Sequence, residues 1–195
     1  MNRIAITGGI GSGKSYIAAL LAERGIPIYN ADMESKRLTV CDEGIRRELT
    51  ELLGKDIYQE NVLNKSLLAS FLFASPENAA KVNSIIHPRV KEDFVRWADA
   101  RENAEVVGIE SAILYESGFD DVVDVVVMVY APESLRVERA MKRDHASEKQ
   151  IRLRIAAQMP DEEKCKKADW IVKNDGSVSI EEQLDALLEH LKKGK

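Results

Sequence analysis

Residues 8–15 read Gly-Gly-Ile-Gly-Ser-Gly-Lys-Ser and match the pattern G-x-x-x-x-G-K-[ST], with Gly8, Gly13, Lys14 and Ser15 at its fixed positions. A backbone that wraps a phosphate must turn successive N–H groups inward. That demands close approach and dihedral angles that Gly8, Gly9, Gly11 and Gly13 permit. The loop then opens a helix, whose N-terminus adds unpaired donors and about half a positive charge. Lys14 contributes a full charge able to follow a transferring phosphoryl group, and Ser15 a hydroxyl suited to Mg²⁺. Chance would put the pattern in roughly one random chain of this size in a hundred. Gly9, Ile10, Gly11, Ser12, Gly13, Lys14 and Ser15 are therefore candidate ligands of nucleotide phosphates.

Other residues carry possible chemistry beside an ordinary structural reading. Asp32 follows the second apolar run, at the sheet end where α/β proteins bind ligands, and Asp is equally a favoured helix cap. Glu110 either holds Mg²⁺ through water or simply ends a strand. Between Arg136 and Lys167 ten Lys or Arg stand against six Asp or Glu, a window of +4 in a chain of −5. Within it Arg139, Arg143 and Arg154 either neutralise phosphate charge or form surface pairs of the Arg139–Glu138 or Arg143–Asp144 kind, which contribute little. Gln158 is a weaker candidate. His87 precedes Pro88, a residue favoured in the first turn of a helix, so His87 is a cap, a packed side chain or a ligand contact. Arg89 meets a phosphate or is merely exposed. Asn174 to Ser177, with Gly176 at its centre, lines a ligand or forms an ordinary turn.

These groups must be positioned by alternating strands and helices, the signature of βαβ units around a parallel sheet. Strands are expected at Arg3–Thr7, Ile26–Tyr29, Glu105–Ile109, Asp124–Tyr130 and Trp170–Val172, and helices from Lys14, with Gly25 as a stop, and at about 133–144, 147–158 and 179–192. The stretch 31–103 has helical apolar spacing and no convincing strand, which suggests a helical insertion over about 31–104. The expected architecture is a single α/β domain over 1–195, a parallel five-stranded sheet flanked by helices, with a lid over about 136–167. The 195 residues are 45% hydrophobic and 31% charged, ordinary for a soluble globular chain. No apolar run of about 18 residues suggests a membrane span, and the N-terminus lacks a signal-peptide layout, so a cytoplasmic location is expected. Cys41 and Cys165, like His87, His145 and His190, are too scattered for a disulfide framework or a zinc site. The charge of −5 argues against a protein that coats nucleic acid. Oligomeric state is not legible.

A phosphate loop alone covers kinases, GTPases and motor ATPases. A guanine-reading N-K-x-D is absent, since Asn174-Asp175-Gly176 lacks the Lys. A motor ATPase needs consecutive acids after its second strand, and here Glu110 stands alone. A small chain with a helical insertion and a late basic segment points to a small-molecule kinase, in which the insertion holds the acceptor and lid arginines close over ATP. More specifically, the sequence resembles the dephospho-CoA kinase family over nearly its whole length. The matching segments are Ile6–Ser15, Asn30-Ala31-Asp32, Ile86–Val90, Ile113–Gly118, Arg139–Asp144, Arg154–Met159 and Ala168–Trp170 with Asn174. The resemblance implies ATP-Mg²⁺ as phosphoryl donor and the ribose 3′-hydroxyl of dephospho-CoA as acceptor. It implies Asp32, Lys14 and Arg143 in catalysis, and Asp32, Lys36, His87 and Arg89 toward the acceptor. Arg139, Arg143, Arg154, Asn174 and Gly176 fall to the nucleotide, and Ser15 and Glu110 to the metal. There are departures. Tyr16, counted with the phosphate cradle, stands where the family usually has Thr, Asn30 replaces the first Asp of D-A-D, Ser111-Ala112 stands where a Pro is common, and Lys36 stands where Arg is common. The alternatives are a related kinase acting on another hydroxyl and a regulatory protein that binds ATP without transfer.

Overall fold

Strand β1 (Asn2–Thr7) carries an apolar run whose last four residues are wholly buried, and β6 (Val125–Tyr130) buries Val126 to Val129. Such continuous burial fits strands covered on both faces. The computed structural model describes residues 1–60 and 62–193. With β2 (Ile28–Asn30), β5 (Val106–Glu110) and β7 (Trp170–Lys173), these strands form one parallel sheet in the order β2-β5-β1-β6-β7. The five expected strands are all present, each within two residues of its expected start. The β1–β5 register sets Ile6 against Glu110, and the β1–β6 register sets Thr7 against Met128. The central strand thus delivers residues 8–15 to the carboxyl edge, and its neighbour delivers Glu110 to the same edge.

Helix α1 (Lys14–Glu23) and the last helix, Ile180–Lys193, cover one face of the sheet. Ile17, Ala18, Leu21, Leu184, Leu187 and Leu191 pack with Ile4, Ile6, Val127, Val129 and Val172. Gly25, at φ +85°, closes α1, its N–H donating to the Ala22 carbonyl at 2.9 Å.

The chain divides into two compact units, one of residues 1–29 with the chain from Ala98 onward, the other of Asn30–Trp97. The second contains α2 (Ala31–Cys41), α3 (Glu43–Leu53), the hairpin β3 (Tyr58–Gln59) and β4 (Val62–Leu63), α4 (Lys65–Ala74) and most of α5 (Pro76–Asp99). The hairpin corrects the expectation of no strand over 31–103; strands of two residues are too short to show alternation. Its Tyr58 is fixed by a 2.6 Å bond from its hydroxyl to the Thr39 carbonyl and by Arg46 lying 4.5 Å over its ring.

A second correction concerns Pro88, which lies inside α5 rather than in a first turn. A proline there costs about 3 kcal/mol. Val82, Ile86, Val90 and Phe94, four residues apart, form a buried stripe. Burying side chains of this kind contributes about 1.5–3 kcal/mol each, so the packing outweighs the proline and the helix runs through.

The fully buried Phe94 should make Phe94→Ala cost about 3–5 kcal/mol in urea unfolding.

Candidate active site

The helices announce where an anion belongs. Asn30, Asp42, Asn64 and Ser147 cap α2, α3, α4 and α7 (Glu148–Ala156), and the Ser75 and Ser179 hydroxyls accept at the starts of α5 and of the final helix, α9. Helices α6 (Glu133–Asp144) and α8 (Asp161–Lys167) carry acids in their first turns. Helix α1 alone among the described residues has neither a side-chain cap nor an acid. Its N-terminal donors and dipole are thereby reserved for something negative.

The loop leading into α1 is held from outside. Gly13 enters the helix at φ +93°, and a Cβ there would come within 2.1 Å of Asn174 Nδ2. That amide donates to the Ser12 carbonyl at 2.8 Å, while Arg139 Nη1 donates to the Asn174 carbonyl at 2.9 Å. Two residues expected at the nucleotide thus meet beside the loop. Gly11, at φ +81°, lies so close to α6 that a Cβ would come within 2.1 Å of the Arg136 carbonyl oxygen. The Arg136 guanidinium packs against Gly9 and is ion-paired with Asp161, both side chains buried. Burial pushes the Asp161 carboxyl above its ordinary value, with Arg136 pulling the other way. Ile10 N–H donates to Gln158 Oε1 at 3.1 Å.

Lys14, Ser15 and Glu110 converge. Ser15 Oγ donates to Glu110 Oε1 at 2.5 Å, and Lys14 Nζ lies 4.0 Å from the same oxygen, with Glu110 buried. A hydroxyl and a carboxylate in contact form a hard-oxygen donor set that fits Mg²⁺, which takes one or two protein oxygens and completes its shell with phosphate and water. No cluster of three His, Cys, Asp or Glu among the described residues offers another metal site.

Arg143 and Arg154 meet at one carboxylate, Asp144, and both stay more than half exposed. The surface pairing allowed for Arg143 is therefore formed, and it includes Arg154. Gly176, at φ +84°, turns the loop after Asn174, and Asp175 accepts from Ser177 N–H at 2.9 Å. Tyr16 turns outward, 55% exposed, with its backbone N–H donating to Gly13.

Asp32, Lys36, His87 and Arg89 belong to the 30–97 unit. The helix cap there is Asn30, whose side chain accepts from Met33 N–H at 2.9 Å. Asp32 is therefore not the cap; it sits in the first turn of α2, exposed, one turn from the exposed Lys36. Burial lowers the His87 pKa. Arg89 lies 3.6 Å from Glu48 and 3.5 Å from Glu92.

Sequence reasoning missed Arg136, Asp161 and Lys164 as individuals. Lys164 is fully buried, donates to the Ala112 carbonyl at 2.7 Å and pairs with Glu116 at 3.1 Å. Glu116 in turn accepts from Met159 N–H at 2.8 Å. The available signal was an Arg between Leu135 and Val137, at the start of the face that buries Val137 and Ala140.

A family model for dephospho-CoA kinase matches residues 2–179. The chain belongs to the dephospho-CoA kinase family. It is 52% identical over 189 residues to a dephospho-CoA kinase of Bacteroides fragilis, covering 97% of this chain and 92% of that one. Identity to the Chlorobaculum tepidum dephospho-CoA kinase is 38% over 182 residues, covering 90% and 87%. A crystal structure from Thermus thermophilus superposes with a TM-score of 0.84 at 34% identity, covering 97% of each chain. A shikimate kinase from Acinetobacter baumannii, at 14% identity and a TM-score of 0.57, covers 99% and 94% and shares the fold. Against the family pattern of dephospho-CoA kinases, the departure at Asn30 keeps a capping side chain, and the departure at Tyr16 leaves Ser15 on Glu110.

Two outcomes follow from this geometry. Gly11→Ala should weaken nucleotide binding by more than about tenfold in calorimetry, because the left-handed backbone alone costs about 1–2 kcal/mol before the clash with Arg136. His87 binds fewer protons folded than unfolded, so stability is full above about pH 6.5 and falls as pH drops below it. His87→Gln should flatten that acid slope in urea titrations between about pH 7 and 5.

Proposed function

We propose that the chain transfers the γ-phosphoryl group of ATP to the ribose 3′-hydroxyl of dephospho-CoA, giving coenzyme A and ADP in the last step of CoA formation. The observation that carries this reading is the uncapped, acid-free N-terminus of α1 behind a glycine loop, in a chain of the dephospho-CoA kinase family. The loop from Gly9 to Tyr16 wraps the phosphates at the uncapped N-terminus of α1, and Lys14 follows the transferring group. Asn174 and Gly176 serve the adenine side of ATP, and Arg139 its phosphates. Arg143 and Arg154, in a lid over about 136–167, neutralise the polyphosphate. The 30–97 unit is the acceptor-binding subdomain, with Lys36, His87 and Arg89 as acceptor contacts.

The 3′-oxygen forms a bond to the γ-phosphorus as the bond to the bridging oxygen of ADP breaks, and the hydroxyl proton passes to Asp32 and then to solvent. A carboxylate is too weak a base to remove an alcohol proton in advance. Asp32 therefore orients the hydroxyl and accepts its proton late, as a loose transition state requires. Mg²⁺, held by Ser15 and through water by Glu110, would supply the charge that offsets the phosphoryl oxygens. No helix among the described residues is long and apolar enough to cross a membrane. The proposed location is the cytoplasm.

The test is a coupled ADP-release assay with dephospho-CoA and a panel of nucleosides and nucleotides. ADP release should depend on dephospho-CoA; release without it, or with another acceptor in preference, would refute the assignment. Asp32→Asn should lower kcat by about 10²–10⁴ while ATP affinity stays unchanged. Arg143→Ala and Arg154→Ala should each lose turnover without unfolding, and full activity in both would remove the lid role.

A further inference from the structure

Asp144 is the last residue of α6, and His145 follows it at φ +50°, turning the chain toward α7. Arg143 binds the Asp144 carboxylate through two nitrogens, Nε to Oδ1 at 2.7 Å and Nη2 to Oδ2 at 3.1 Å. Arg154, in the last turn of α7, reaches the same carboxylate, Nη1 to Oδ2 at 3.0 Å. The carboxylate is 21% exposed, against 61% and 55% for the two arginine side chains. The anion is thus the shielded member and the two cations form the outer face. A guanidinium carries five N–H donors, so each keeps most of its donors for another partner.

Two guanidinium groups side by side repel each other unless an anion lies between them. Exposed ion pairs of this kind contribute little to stability. The joining of α6 to α7 rests elsewhere, on the apolar cluster of Val137, Ala140 and Ile151 with Ile10, Met141, Ala146 and Ile155. What the carboxylate adds is orientation: it converts two long, mobile side chains from different helices into one fork of donors. The Arg143 hydrogen bond, foremost among several causes, holds the Asp144 carboxyl below its ordinary pKa and keeps it charged.

We propose that Asp144 is a positioning residue for phosphoryl transfer, acting through Arg143 and Arg154 by holding their guanidinium groups together for the ATP polyphosphate. This rests on the reading of those arginines as phosphate ligands. Simple charge arithmetic gives the opposite expectation, since removing a negative charge near bound ATP would tighten binding. The sign of the effect therefore separates the two.

The experiment compares Asp144→Asn, Arg143→Ala, Arg154→Ala and their combinations, reading KM for ATP, kcat and thermal unfolding. Asp144→Asn should lower kcat/KM for ATP by about tenfold, in line with the cost of misplaced catalytic groups, with the midpoint shifted by less than about 2 °C. In the Arg143→Ala/Arg154→Ala background the same substitution should have no further effect, because its route to the substrate is gone. An unchanged or higher kcat/KM in Asp144→Asn, with both arginine variants impaired, would overturn the positioning role and leave the lid reading standing. A loss that adds fully in the double-arginine background would overturn it as well. Full activity in both arginine variants would remove the lid reading and this inference together.

Discussion

Four main-chain N–H groups at the start of every helix lack an intrahelical partner, and at α1 neither a capping side chain nor an acid answers them. Leaving that terminus open to an anion imposes demands on everything around it. The loop before it must run through left-handed conformations at Gly11 and Gly13. It must be kept from collapsing, and it must not be capped by accident. The fold meets these demands from outside. Asn174 binds the Ser12 carbonyl, Gln158 takes the Ile10 N–H, and the Arg136 backbone and guanidinium fill the space beside Gly11 and Gly9. The loop is braced because its Ile10 N–H and its Ser12 carbonyl are paired with groups outside it.

Charge is deployed in two ways in this chain. Beside the loop Arg136 and Asp161 are both buried and locked together, where removing one partner would strand the other away from water, and Lys164 is buried against an exposed partner, Glu116. In the α6–α7 segment Arg143 and Arg154 are exposed around the half-buried Asp144, and such pairs contribute little stability. The first arrangement suits a rigid cradle. The second leaves both guanidinium groups open to water.

Much of the fold was legible in the sequence. Strands and helices follow from apolar periodicity, including the helices between Ala31 and Asp99. The β3–β4 hairpin and the passage of α5 through Pro88 were not legible. The strands are two residues long, and the helix is carried by the stripe from Val82 to Phe94 rather than by local propensity. At the site, Lys14, Ser15 and Glu110 could be named in advance, but not their convergence on one carboxylate oxygen. Asp32 could be read as a ligand contact or as a helix cap, and the structure gives the cap to Asn30, which sequence reasoning missed for that task.

The phosphate loop was determined by the sequence alone, because its demands are local: glycines where the backbone turns, a Lys and a Ser at fixed offsets, and a strand before and a helix after. Only the tertiary structure decided which of the ten basic residues between Arg136 and Lys167 are buried, which are paired and which share an anion. A charged side chain has the same local pattern in all three cases. Its role depends on a partner far along the chain, 25 residues for Arg136 with Asp161 and 48 for Lys164 with Glu116, and on whether water still reaches it.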